Sequence, residues 1–153
     1  FKLKSYSAAE KFIYTYWAYN RNSIDGLFLK GKINLEMGKF TLAKEAYHRI
    51  LYLVGQPENN IPEGALVSAK AHNNLGILYI KKNQYEKARD AFFASIKIFP
   101  QIPDAHYNLG KLILDLQGNR ALAHRHLELA LALNQNPSLK KEINRLLENI
   151  QSP

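Results

Sequence analysis

Apolar residues along this chain recur at i, i+3, i+4 and i+7, the spacing that lines one face of an α-helix. Leu75, Leu78 and Tyr79 follow it, and so do Ala88, Phe92, Ser95, Ile96 and Phe99. The strict alternation expected of a strand is nowhere sustained. Pro57, Pro62, Pro100, Pro103, Pro137 and Pro153 fall between the periodic segments and not inside them. A proline inside a helix costs ~3 kcal/mol, so these residues mark the joints of a helical chain. The pattern predicts helices over about 6–20, 24–37, 40–54, 62–82, 85–98, 104–117 and 120–134, with a further helix over 138–150.

The segments repeat. Asn74-Leu75-Gly76 recurs as Asn108-Leu109-Gly110, 34 residues later. The fullest copy runs from Ala69 to Ile102 and carries Leu75, Gly76, Tyr79, Tyr85, Ala88, Phe92, Ser95 and Pro100. That order and spacing resembles the tetratricopeptide repeat (TPR), with His72 in a slot often held by Trp, Asn83 at the usual turn Gly and Ser95 at a usual Ala. A copy over 24–57 keeps Gly31, Gly38, Phe40, Ala43 and Tyr47, but has Lys30 and Asn34 where Leu and Tyr are expected. A third, over 103–137, carries Leu109, Gly110, Gly118, Ala123, Leu127 and Ala130, and runs one residue late after an insertion near Gln117. Tyr6 and Ala9 fit the second helix of an earlier copy, which makes 1–23 a half repeat.

The resemblance implies an all-α, right-handed α-solenoid of antiparallel helix pairs. It would hold about three full repeats, an N-terminal half repeat and a C-terminal capping helix over 138–153, in one domain spanning 1–153. Gly76 and Gly110 would let a neighbouring helix approach closely, and Ala88 and Ala123 would do the same at the next crossing. Each helix pair leaves an apolar face that the next pair covers. In the last helix Ile143, Leu146, Leu147 and Ile150 share one face, opposite Lys140, Lys141, Glu142, Arg145 and Glu148, as suits a cap. Residues 58–68 interrupt the period. Asn60 is the expected N-cap of an early-starting helix, Pro62 its first residue, and Glu63 suits its positive end. A plain surface loop is the alternative, favoured by Gly64.

The chain has 153 residues and a formal charge of +8, with 46% apolar and 22% charged residues, as in ordinary folded domains. It lacks cysteine, which excludes disulfides, Cys-ligated metals and thiol chemistry. No uncharged apolar run reaches the ~18 residues of a membrane span. The chain opens on Phe1, not Met, and reads as a piece whose native start is absent. Charge is uneven: 69–102 carries +4, whereas 24–68 and 103–137 are neutral.

In this family the first helices of the repeats line a concave groove for a peptide or partner protein. Carried over by position, the lining comprises Phe28, Leu29 and Lys32; then Lys70, Asn73, Asn74, Ile77 and Lys81; then Asp104, Tyr107, Asn108, Lys111 and Asp115. Asn74 and Asn108 occupy equivalent slots, and each amide can both donate to and accept from an extended backbone. The Lys/Arg carboxylate clamp that some members use for chaperone tails is not matched, because Phe28, Lys32, Asp104 and Asn108 stand at its slots. An acidic protein or peptide partner is expected; a nucleic acid is a lesser alternative, because no basic run is interleaved with aromatics.

Seven of the 17 aromatic residues lie in the first 19 positions. Phe12, Tyr16, Trp17 and Tyr19 there suggest a second interface, for assembly or self-association. His72 and His106 share a repeat position, which argues for packing or polar contact between helices. His124 and His126 sit ~200° apart around a helix and cannot chelate one metal. No phosphate loop, nucleophile elbow or metalloprotease motif is present. No enzyme activity and no cofactor are expected.

Overall fold

The computed structural model describes residue 11 and residues 23–151. Among them are seven α-helices and no strand. They are α1 (Ile24–Glu36), α2 (Phe40–Val54), α3 (Gly64–Lys81), α4 (Tyr85–Ile98), α5 (Pro103–Asp115), α6 (Arg120–Leu133) and α7 (Pro137–Gln151), with a 3-10 turn at Pro57–Asn59. Each helix packs on the next in sequence, so α1–α2, α3–α4 and α5–α6 form three stacked hairpins with α7 against the last. The expected helix over 6–20, with Phe12, Tyr16, Trp17 and Tyr19, lies outside the described residues. The architecture is an all-α helical-repeat solenoid.

Local chemistry sets the helix ends. Ser23 caps α1 by accepting from Gly26 N at 3.2 Å, and Asn119 caps α6 by accepting from Leu122 N at 2.9 Å. Asn136 accepts from Ser138 N at 2.9 Å ahead of Pro137. Pro103 and Pro137 are therefore first residues of helices and not spacers outside them; the missing N–H costs nothing there.

The helix after the insert starts early, at Gly64 rather than Pro62. Asn60 is not its N-cap: it adopts a left-handed conformation (φ 41°) and donates its N–H to Pro57 O, closing the 3-10 turn. Glu63, also left-handed (φ 52°), precedes the first helical residue. The early turn is useful because Val67 packs against the core of the first hairpin.

Each hairpin is closed by the same left-handed turn. Gly38 (φ 73°), Asn83 (φ 57°) and Gln117 (φ 52°) hold equivalent places. The next residue's N–H then reaches back to Asn34 O, Tyr79 O and Ile113 O respectively. The third turn is thus still in phase at Gln117, and Gly118 is not its left-handed residue. The extra residue follows the turn, where Asn119 uses it as an N-cap.

The core is a row of clusters, each shared between one hairpin and the next. Leu27, Leu35, Tyr47, Ile50 and Leu53 meet Leu75 and Leu78 of α3; Ala88 and Phe92 meet Leu109 and Leu112; Leu127 and Ala130 meet Ile143 of α7. Glycines sit where rings cross. A Cβ on Gly76 would overlap the Phe92 ring, one on Gly31 would overlap Tyr47, and one on Gly110 would lie 2.9 Å from Leu127 Cγ. Ser95, at a usual alanine place, is fully buried and donates to Ala69 O at 2.7 Å.

Candidate functional site: the inner face of the first helices

α1 touches α3 and α3 touches α5, whereas no comparable contact joins α2 to α4 or α4 to α6. The first helices of the hairpins therefore crowd together on the inner side of the stack, and α7 continues their series. Residues one repeat apart fall into rows. One row is Leu29, Asn74, Asn108 and Glu142; the next, one turn along, is Lys32, Ile77, Lys111 and Arg145; a further turn gives Glu36, Lys81, Asp115 and Asn149. The register is physical, because Lys81 Nζ meets Glu36 Oε1 at 3.3 Å within the third row.

Neighbouring first helices are also joined diagonally, at a separation of 35 residues. Asn108 Nδ2 donates to Asn73 Oδ1 at 2.9 Å, and Tyr107 Oη donates to Glu142 Oε1 at 2.6 Å. Burial, followed by the hydrogen bond to Glu142 and the charges of Glu142 and Asp115, holds the Tyr107 phenol well above its ordinary value. Lys111 lies between the two, 3.9 Å from Glu142 and 6.0 Å from the Tyr107 ring centroid.

These bonds sort the residues expected to line the groove. Asn73 is buried and bonded to Asn108, so both amides are partly used inside the protein. Tyr107 and Lys111 are engaged by α7, and Lys81 by Glu36. Phe28 and Ile77 are half-buried against the core. Leu29 is 43% exposed, and Lys32 and Lys70 are exposed with no partner among the described residues. Asn74 is half-buried, and its amide has no internal partner among the described residues. Asp104 and Asp115 are exposed at the two ends of α5. Glu142 was not among the expected lining residues, although one more 34-residue step from Asn108 lands on it.

Away from this face, α5 and α6 are joined by a buried histidine pair. His106 Nδ1 and His126 Nδ1 are 3.0 Å apart, and His106 Nε2 lies 2.9 Å from Pro100 O. A carbonyl only accepts, so His106 carries its proton on Nε2, and the neutral pair is completed by His126 donating Nδ1–H to His106 Nδ1. Burial, then His106 and Arg125, lowers His126 to about 4. Of the two expectations for His106, packing or polar contact between helices, the structure shows a polar contact, and its partner is His126. His124 pairs with Glu128 at 3.4 Å. Among the described residues no group of three His, Asp or Glu is placed to hold a metal, and no helix is long and apolar enough to cross a membrane.

Models of the tetratricopeptide repeat match residues 24–53 and 69–102. No curated protein sequence matches the chain. Several solved structures share its fold. SycD of Yersinia enterocolitica, a type III secretion translocator chaperone, has a TM-score of 0.64 at 16% identity over 87% of this chain and 96% of its own. A thermophilic TPR protein of Thermus thermophilus has a TM-score of 0.64 at 21% identity, covering 97% and 74% respectively. MamA has a TM-score of 0.62 at 18% identity, covering 97% and 88%. The chain thus carries two matched tetratricopeptide repeats, and its stacked helical hairpins share the fold of these structures.

Proposed function

We propose that the chain is a protein-interaction scaffold that receives an extended segment of a partner protein along the inner face of its first helices. The observation that carries this reading is Asn74: a half-buried side-chain amide without an internal partner, in one row with the exposed Leu29 and the amide of Asn108. An extended backbone is the ligand such an amide fits, because it offers a donor and an acceptor at every residue. Leu29 supplies apolar contact beside it. Asn73, bonded to Asn108, holds the register of the row and leaves the gripping to Asn74 and to the second hydrogen of the Asn108 amide. Lys70 and Lys32 border the same strip. The fold it shares with a translocator chaperone supports a protein as the partner.

The test is a peptide library selected on the wild-type chain. Selected binders should lose at least about tenfold in affinity on Leu29→Ser with Asn74→Ala. They should keep their affinity on Tyr52→Ser, a change on α2, where Tyr52 is 56% exposed. Equal binding by the inner-face variant would overturn the reading.

A further inference from the structure

We infer that the inner face selects an acidic segment in a fixed register, by a cationic row that runs beside the asparagines. This rests on the inner-face reading above and adds the chemistry of the guest. The row is Lys32 of α1, Ile77 of α3, Lys111 of α5 and Arg145 of α7. Its three charged members are all positive and all exposed. Neither row beside it is cationic: Leu29, Asn74, Asn108 and Glu142 carry one negative charge, and Glu36, Lys81, Asp115 and Asn149 mix signs.

Local pairing leaves the row usable. Lys81, in the next row, already neutralises Glu36 at 3.3 Å, so Glu36 does not draw on Lys32. Lys32 and Arg145 have no partner among the described residues. Lys111 touches Glu142 at 3.9 Å, a long contact between two half-exposed side chains. Such a pair contributes little and is readily exchanged for an incoming carboxylate. Ile77, half-buried, is the one apolar stop in the row.

Spacing then sets the pattern of the guest. Packed helices lie about 8–10 Å apart, and an extended chain advances about 3.3–3.6 Å per residue. The side-chain bond from Asn108 to Asn73 needs such close helices. Each first helix thus meets about every third residue of the guest. From α1 to α7 the guest presents an acidic residue, an apolar residue, an acidic residue and another acidic residue, in one of the two chain directions.

The probe is a labelled ten-residue peptide with aspartate first, seventh and tenth and leucine fourth, together with its reversed sequence and a scramble of the same composition. Fluorescence anisotropy should show one direction binding at least about tenfold more tightly than the scramble, with affinity falling as salt rises. Lys32→Glu with Arg145→Glu should abolish that binding, and a peptide with lysine in place of the first and tenth aspartates should recover it on the variant. Both substitutions are on exposed positions, and circular dichroism checks that the helices persist. Equal binding of scramble and designed peptide, or no effect of the double charge reversal, would overturn the inference. If library peptides still bind through Leu29 and Asn74 while the acidic register has no effect, the scaffold reading stands and this inference alone falls.

Discussion

The first and third hairpins fill the same helix crossing with opposite chemistry. Where α1 and α2 place Leu27 and Ala46, α5 and α6 place His106 and His126; the middle hairpin has His72 and Ala91 at these positions. Leu27 is 1% exposed and His106 3%, so the backbone encloses either kind of side chain equally well. What differs is the condition each imposes. Leucine needs only volume. The histidines need one fixed arrangement of protons, because His106 is committed to the Pro100 carbonyl and turns an acceptor toward His126. A helical repeat can therefore carry a buried polar pair in one unit without loss of shape, and that unit takes on the largest dependence on pH.

Truncating the two sites gives the largest expected contrast. Leu27→Ala removes core volume and should cost about 2–5 kcal/mol at any pH. His126→Ala restores the alanine of the middle hairpin but leaves His106 Nδ1 without its donor, and should cost about 1–3 kcal/mol at pH 7. Urea unfolding of both variants measures the difference.

Acid should separate the hairpins next. The folded protein keeps His126 neutral down to about pH 4, whereas the unfolded ring takes up its proton near 6.5. The unfolded state then binds more protons, so this stability is complete above pH 6.5 and is lost as pH falls toward 4, by up to about 3 kcal/mol. The burial that keeps His126 neutral is reinforced by His106 from α5 and Arg125 on its own helix, and Phe93 of α4 presents a ring 6.3 Å away. Burial also lowers His72, with His48 adding to it, and lowers His48, with Lys44 adding to it, so both act in the same direction. Amide exchange at pH 7 and pH 4.5 should show α5 and α6 losing more protection than α1, and His126→Ala should flatten the difference.

Two smaller effects also distinguish the hairpins. Tyr47 holds the place in the first hairpin that Phe92 holds in the second, yet its hydroxyl is buried without a hydrogen-bond partner among the described residues. Burial, with Glu36 adding to it, pushes that phenol far above its ordinary range. Tyr47→Phe should raise stability by about 1 kcal/mol, read as a shift of the urea midpoint at unchanged slope. Gln117 is left-handed where the first hairpin has Gly38, so Gln117→Gly should raise stability by about 0.5–1 kcal/mol in the same measurement.

The fold was largely legible in the sequence because the repeat is a local code. Leu75, Gly76, Tyr79, Ala88 and Phe92 specify one hairpin and the face it offers to the next. The turn at Asn83 was legible for the same reason, since asparagine tolerates the left-handed backbone. The third turn was misplaced by one residue because Gly118 is the more obvious candidate, whereas hydrogen bonding puts the left-handed residue at Gln117. The start of α3 was set two residues early because Asn60 and Pro62 are good cap residues that the 3-10 turn uses instead.

Less of the candidate site was legible. The slots could be counted, but which amides are free depends on the stagger between neighbouring first helices, which no single repeat encodes. That stagger pairs Asn108 with Asn73 and Tyr107 with Glu142, and leaves Asn74 open. The histidine pair was hidden for a related reason: the residue added after Gln117 carries His126 one place along, to the slot that Ala91 holds in the middle hairpin.

In the proposed reading the inner face, and Asn74 above all, receives the partner. The most direct test is chemical-shift mapping of the side-chain amides and backbone while a library-selected peptide is titrated in. Large shifts are expected at the Asn74 side chain, Leu29 and Lys32, with Tyr52 and Phe93 on the second helices unchanged. Shifts concentrated on α2 and α4, with the Asn74 amide unmoved at saturation, would contradict it.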